Sequence, residues 1–120
     1  MTYNDNNIFA KILRKEIPCK KVYENEYALA FHDINPQAKV HILVIPKGKY
    51  VSFADFSKNA SKEEIEGFFK AIGKVAEDQN LVRAGYRLLA NHGLNAGQEV
   101  PHFHFHIFGK QLLGPMISKN

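Results

Sequence analysis

Three of the six histidines in this 120-residue chain stand at alternate positions: His102, His104 and His106. Phe103, Phe105 and Ile107 fill the gaps and follow on from them. A period of two sends successive side chains to opposite faces of a β-strand. Pro101 to Gly109 is therefore predicted as a strand with imidazoles on one face and apolar groups on the other. Pro101 and Gly109 mark its ends, where a strand tolerates them best. Buried polar groups are costly when unpaired, so the three rings must be exposed, networked or engaged with a ligand. Neutral imidazoles supply a nucleophile and proton carriers near pH 7. They also suit phosphate. One ring can attack phosphorus while its neighbour donates a hydrogen bond to a phosphate oxygen or the departing group.

A metal site is the competing chemistry. Rings at i and i+2 lie about 6–7 Å apart along a strand and can converge on one zinc, but the first and third are about 13 Å apart. The lone Cys19 has no CxxC partner. No metal and no other cofactor is expected.

The elements that must position the row are legible in outline. Residues 6–15 read as a short helix, with Ile8, Phe9, Ile12 and Leu13 at helical spacing, ended by Ile17-Pro18. Residues 20–24 and 27–34 read as two strands joined by a turn. By parity the second carries Leu29, Phe31 and Asp33 on one face, and Ala28, Ala30, His32 and Ile34 on the other. Asp33, just before Asn35-Pro36, reads equally as a turn carboxylate or as an acceptor for both hydroxyls of a ribose. Residues 40–46 form an apolar strand opened by His41 and closed by Pro46-Lys47-Gly48. Residues 48–60 read as loop with one helical turn near Phe53. Ser61-Lys62-Glu63-Glu64 matches a capping box. Ile65, Phe68, Phe69, Ile72, Val75 and Ala76 then continue a main helix to about Asn80. Residues 86–91 read as a strand, and 92–97 as a Gly- and Asn-containing loop whose backbone can approach a ligand.

Composition excludes several classes. Hydrophobic residues at 45% and charged residues at 23% are ordinary for a globular protein, so one domain, 1–120, with a tail over 109–120, is expected. No apolar run is long enough for a membrane span. The polar N-terminus carries no secretory pattern, and one cysteine fits a reducing cytoplasm. The net charge of +4 can steer anions, but no basic cluster or finger motif points to nucleic acid.

The unbroken run His102-Phe103-His104-Phe105-His106-Ile107-Phe108 resembles the histidine triad (HIT) superfamily. Further stretches resemble its Hint branch: Ile8-Phe9-Ala10-Lys11-Ile12, Phe31-His32-Asp33-Ile34-Asn35-Pro36, His41 to Lys47, Gly97-Gln98-Glu99-Val100 and Leu113-Gly114-Pro115-Met116. The resemblance implies an α+β, HIT-like fold. Its five-stranded antiparallel sheet carries one main helix and a short N-terminal helix, and two sheets join across a homodimer. It implies a purine nucleoside phosphoramidase, cleaving P–N bonds through a nucleotidyl-histidine. His104 would be the nucleophile, held by the His102 carbonyl, and His106 would meet the departing group. His41 would exchange hydrogen bonds with His102 and complete a proton relay. Asp33 would hold the ribose, and Ile34 with Ile8, Phe9 and Ile12 the base. Asn91, Gly97, Gln98 and Glu99 would face the sugar and phosphate. Glu99 stands where some relatives have serine, which puts a side-chain contact to phosphate there in question. The alternatives are a dinucleoside polyphosphate hydrolase of the same superfamily, a nucleotide-binding scaffold, and, more remotely, a zinc-binding protein.

Overall fold

Over residues 2–118, which the computed structural model describes, the chain forms α1 (Ile8–Leu13), β1 (Lys21–Glu24), β2 (Ala28–His32), β3 (Val40–Pro46), α2 (Phe53–Asn59), α3 (Lys62–Asp78), β4 (Tyr86–Leu89), α4 (Gly93–Ala96) and β5 (Phe105–Gly109). The five strands make one sheet in the order β1-β2-β3-β5-β4, with every neighbouring pair antiparallel. After β3 the chain leaves through α2 and α3, lays β4 at the edge, and returns to slot β5 between β3 and β4. That insertion puts the histidine strand directly beside the strand that carries His41.

The parity reading of β2 matches the packing, and β3 divides in the same way. Ala28, Ala30, Ile42, Val44 and Ile107 face α3 and join Phe68, Ala71, Ile72 and Val75, with Phe56 of α2 and Phe103 completing the cluster. Leu29, Phe31, Leu43 and Ile45 face the other way and pack under Phe9 and Ile12 of α1. α3 begins with the expected capping box: the Ser61 hydroxyl accepts from the Glu64 N–H at 3.1 Å, and the Glu64 carboxylate accepts from the Ser61 N–H at 2.9 Å.

Three boundaries differ from the sequence reading. The segment 48–60, expected as loop with one helical turn near Phe53, contains two turns of helix, α2, capped by Ser52. The presumed 92–97 loop contains the one-turn helix α4. The triad strand starts at Phe105 rather than Pro101. Its last ladder pair with β3 is Val44↔Phe105. One cause is Pro46, which has no N–H to offer a longer ladder. Its carbonyl is instead bonded to the His102 ring, and the Phe103 N–H donates to the Tyr50 carbonyl at 2.8 Å. Residues 101–104 thus dive beneath the sheet edge, carrying His102 into the interior.

Gly67 lies on α3 against Tyr27, where an added Cβ would fall 2.4 Å from the ring Cδ2 and 3.0 Å from Cβ. Alanine is better than glycine in a helix by about 1 kcal/mol, but overpacking typically costs about 1–3 kcal/mol. The atoms in the way sit at the root of Tyr27, which cannot swing clear. Gly67→Ala should therefore lower the urea midpoint despite its better helix propensity; a raised midpoint would show that Tyr27 yields freely.

Candidate active site

His104 and His106 line an open cleft of about 390 Å³ together with Phe9, Asp33, Asn35, Gln37, Leu43, Asn91, Gly97, Glu99 and Val100. Its floor is the α1-facing side of the sheet, where Leu43 on β3 is paired with His106 on β5. One wall is Phe9 of α1, whose ring meets His104 edge-on at 4.9 Å. The far wall is the segment after α4. Gly97 ends that helix with φ of +71°, a left-handed turn that favours glycine, and so brings the backbone to the cleft.

Every ring nitrogen whose partner is known has its protonation set by that partner. A neutral imidazole has one donor and one acceptor nitrogen. His104 Nδ1 lies 2.7 Å from the His102 carbonyl, an acceptor only, so Nδ1 carries the proton and Nε2 keeps its lone pair. The Gln37 backbone N–H donates to His41 Nδ1 at 3.1 Å, so the proton of His41 is on Nε2. That nitrogen sits 2.9 Å from His106 Nδ1 and donates to it, which leaves the His106 proton on Nε2. His102 Nε2 donates to the Pro46 carbonyl at 2.9 Å, and its Nδ1 accepts from the Tyr3 hydroxyl at 2.6 Å.

Burial holds these rings neutral. It pushes His102 and His106 down to about 4, with neighbouring His104 adding to the effect on both and His41 adding on His106. Burial also lowers His104 and His41. On His104 the bond to the His102 carbonyl, then Asp33 and Glu99, act against it; on His41, Asp33 does. The result is an unprotonated nucleophilic nitrogen on His104 and a donor on His106, with ring centroids 5.1 Å apart.

The residues expected from sequence are only partly gathered. Phe9, Asp33, Asn91, Gly97, Glu99, His104 and His106 share the cleft. Asp33 takes its turn reading: one oxygen accepts the Asn35 N–H at 2.8 Å and shapes the turn, while the other faces the cleft side and lies 3.4 Å from His41 Nε2. His41 bonds to His106, not to His102 as expected, because parity puts it on the same sheet face as its diagonal neighbour His106. His102 is buried beside Tyr3 and Phe9 with no link to the His41–His106 pair. Gln98 does not line the cleft. Its amide oxygen accepts from the Gly93 N–H, and its nitrogen donates to the Val51 and Val100 carbonyls, bracing the wall from behind. Ile8 and Ile12 also lie outside it: Ile12 packs into the core, and Ile8 is exposed on the helix. Ile34, 85% exposed, lies in a shallow groove that shares Asp33 with the cleft. Asn35, Gln37, Leu43 and Val100 were missed, although Leu43 shares the parity of His41 and could have been found by it.

Asp33, His41 and His106 bring three ligand-type atoms within 4.8 Å of one another. To bind a cation there, His41 would need a bare Nε2 and a proton on Nδ1, facing the Gln37 N–H. The observed bonds favour a shared proton instead.

Folded-state values near 4 for His102 and His106 lie below the ordinary 6.5 of an unfolded chain, so between these values the unfolded state binds more protons. The stability from these two rings is complete above pH 6.5 and is lost as pH falls toward 4. Between pH 7 and 5 the loss should be on the order of 2 kcal/mol for each ring. Urea unfolding at the two pH values measures it, and His106→Asn should weaken the dependence. An unchanged free energy of unfolding would mean that the rings are not buried in their neutral form.

The HIT domain pattern matches residues 14–112. An uncharacterised HIT-like protein of Azospirillum brasilense is 61% identical over 118 residues, 98% of this chain and 97% of that protein. The purine nucleoside phosphoramidase of Escherichia coli K12 is 41% identical over 115 residues, 95% of each. The crystal structure of a HIT family hydrolase from Legionella pneumophila superposes with a TM-score of 0.84 at 37% identity, covering 91% of this chain and 96% of that one. The alternating histidines, the sheet that carries them and these matches together place the chain in the HIT family.

Proposed function

We propose that this protein hydrolyses the P–N bond of purine nucleoside phosphoramidates, releasing a nucleoside monophosphate and an amine. The observation that carries the reading is the His104 Nε2 lone pair, free in the cleft and beside the His106 Nε2–H. Asp33 accepts the ribose hydroxyls, Phe9 and Leu43 offer the apolar wall, and Ile34 closes over the base from the lip. Asn91 and the backbone at Gly97 to Glu99 face the sugar and phosphate. His104 Nε2 attacks the α-phosphorus and the P–N bond breaks. The phosphoryl anion favours an extra proton on the His41–His106 pair, with Asp33 next to it, and the departing nitrogen takes that proton from His106. Water then attacks the nucleotidyl-histidine. Its proton returns to the pair, and the new P–O bond replaces the bond to His104. No residue in this sequence of steps requires a metal ion.

The cleft's charge favours this reading over a dinucleoside polyphosphate hydrolase. Two carboxylates, Asp33 and Glu99, line it, and among the described residues no lysine or arginine does. A leaving amine suits such a wall, whereas a polyphosphate would meet repulsion with no compensating cation. We further propose a homodimer joined edge to edge through β4, supported by the exposed Tyr86 and Leu88 on that unpaired edge strand and the exposed Phe69 on α3.

AMP release from an adenosine phosphoramidate, with chelator present, tests the activity. His104→Ala should reduce it by at least about a hundredfold while retaining AMP binding. Equal rates would remove His104 as nucleophile, and wild-type binding without release would favour a scaffold. Glu99→Gln should raise cleavage of a diadenosine polyphosphate relative to the phosphoramidate; an unchanged ratio would strip Glu99 of its role in selection.

A further inference from the structure

His102 contributes nothing to the cleft surface, yet it is fully buried and both of its ring nitrogens are bonded. Its backbone carbonyl is the group that fixes the proton of His104. The orientation of the His102 residue therefore sets which nitrogen of His104 is free. Two partners hold that ring from opposite sides. One is the Pro46 carbonyl at the end of β3. The other is Tyr3, from the segment preceding α1 and 99 positions away in sequence, whose hydroxyl is 2.6 Å from Nδ1. The Tyr3 ring also meets the His102 ring edge-on, with centroids 5.5 Å apart.

The Tyr3 segment is itself tied down. Asp5 pairs with Lys49 at 2.9 Å, and its carbonyl accepts from Arg14 at 2.8 Å. Asn7 caps α1 by accepting the Ala10 N–H at 2.9 Å. Tyr3 thus acts from a braced position. Its hydroxyl donates to the one lone pair of His102 that would otherwise be buried without a partner. A tyrosine is the side chain suited to this place: an aromatic face packs the ring, and the O–H reaches Nδ1.

We propose that Tyr3 is a positioning residue for the reaction, holding the His102 residue in one orientation so that its carbonyl keeps the nucleophilic nitrogen of His104 unprotonated. It lies outside the residues matched by the HIT domain pattern. This inference rests on the proposed phosphoramidate hydrolysis for its kinetic consequence, but the hydrogen bond can be read without any substrate.

The test uses Tyr3→Phe, which keeps the ring packing and removes only the hydroxyl. Loss of a partner that orients an active-site histidine should lower kcat for AMP release by about tenfold. KM and the affinity for AMP should stay within about twofold, because the nucleotide-binding wall is untouched. In the nitrogen NMR spectrum of the histidine side chains, the Nδ1 signal of His102 should move on loss of the donor. A wild-type kcat in Tyr3→Phe overturns the proposal, as does a loss of AMP affinity that matches the loss of rate, which would mark a merely structural role. Should the wild-type protein release no AMP, the proposed function falls. The spectrum then decides the hydrogen bond separately, and an unmoved His102 signal in Tyr3→Phe overturns the role of Tyr3.

Discussion

Imidazoles removed from water are stable chiefly in the neutral form, and a neutral imidazole must have its single proton placed. In this protein the backbone does most of the placing. The His102 carbonyl takes the proton of His104, the Pro46 carbonyl takes that of His102, and the Gln37 N–H denies Nδ1 of His41 a proton. His41 then passes the constraint to His106 through a side-chain bond. Backbone groups in packed segments have little freedom to reorient, so the tautomers are as fixed as the fold. The lone pair on His104 follows from the His102 carbonyl, and the N–H on His106 from the Gln37 N–H through His41.

Sheet topology makes those peptide groups available. β5 is the last strand in sequence but stands between β3 and β4. Its apolar face, with Ile107 fully buried, is held by the α3 cluster, so its histidine face cannot rotate away. The early end of the ladder at Phe105 is equally necessary. Had pairing continued to Pro101, His102 would have remained on the open sheet face. By leaving the ladder, the chain buries His102 and turns its carbonyl to the next ring but one.

What could be read from sequence follows from this division. Local periodicity gave the two faces of β2 and β5, the main helix and its cap, because each depends on neighbours within a few residues. The partner of His41 was misassigned to His102 because the choice depends on register between strands 65 positions apart, which periodicity does not encode. Gln98 was taken for a phosphate neighbour, yet its amide is consumed by three backbone groups, one of them 47 positions away. Ile8 and Ile12 share a helix with Phe9, and only the rotation of that short helix on the sheet decides that Phe9 meets the cleft. Tyr3 carried no signal at all: an aromatic residue in a polar leader resembles any other until the fold brings it to His102.

Among the described residues no lysine or arginine lines the cleft, which connects these features to the rate of the proposed reaction. A cation would grip the phosphate of substrate and product alike, and uniform binding of that kind does not lower the barrier from the bound state. Neutral donors fixed in position respond more to the charge that develops on phosphoryl oxygens and on the departing nitrogen. They require that the protein spend its burial on holding rings rather than on attracting anions, and the described lysines and arginines lie outside the cleft lining. Asp33 and Glu99 are tolerable neighbours of the single phosphate of the proposed substrate, whereas a polyphosphate would bring further charge against them. In the proposed reaction the site relies on tautomer placement rather than on net charge.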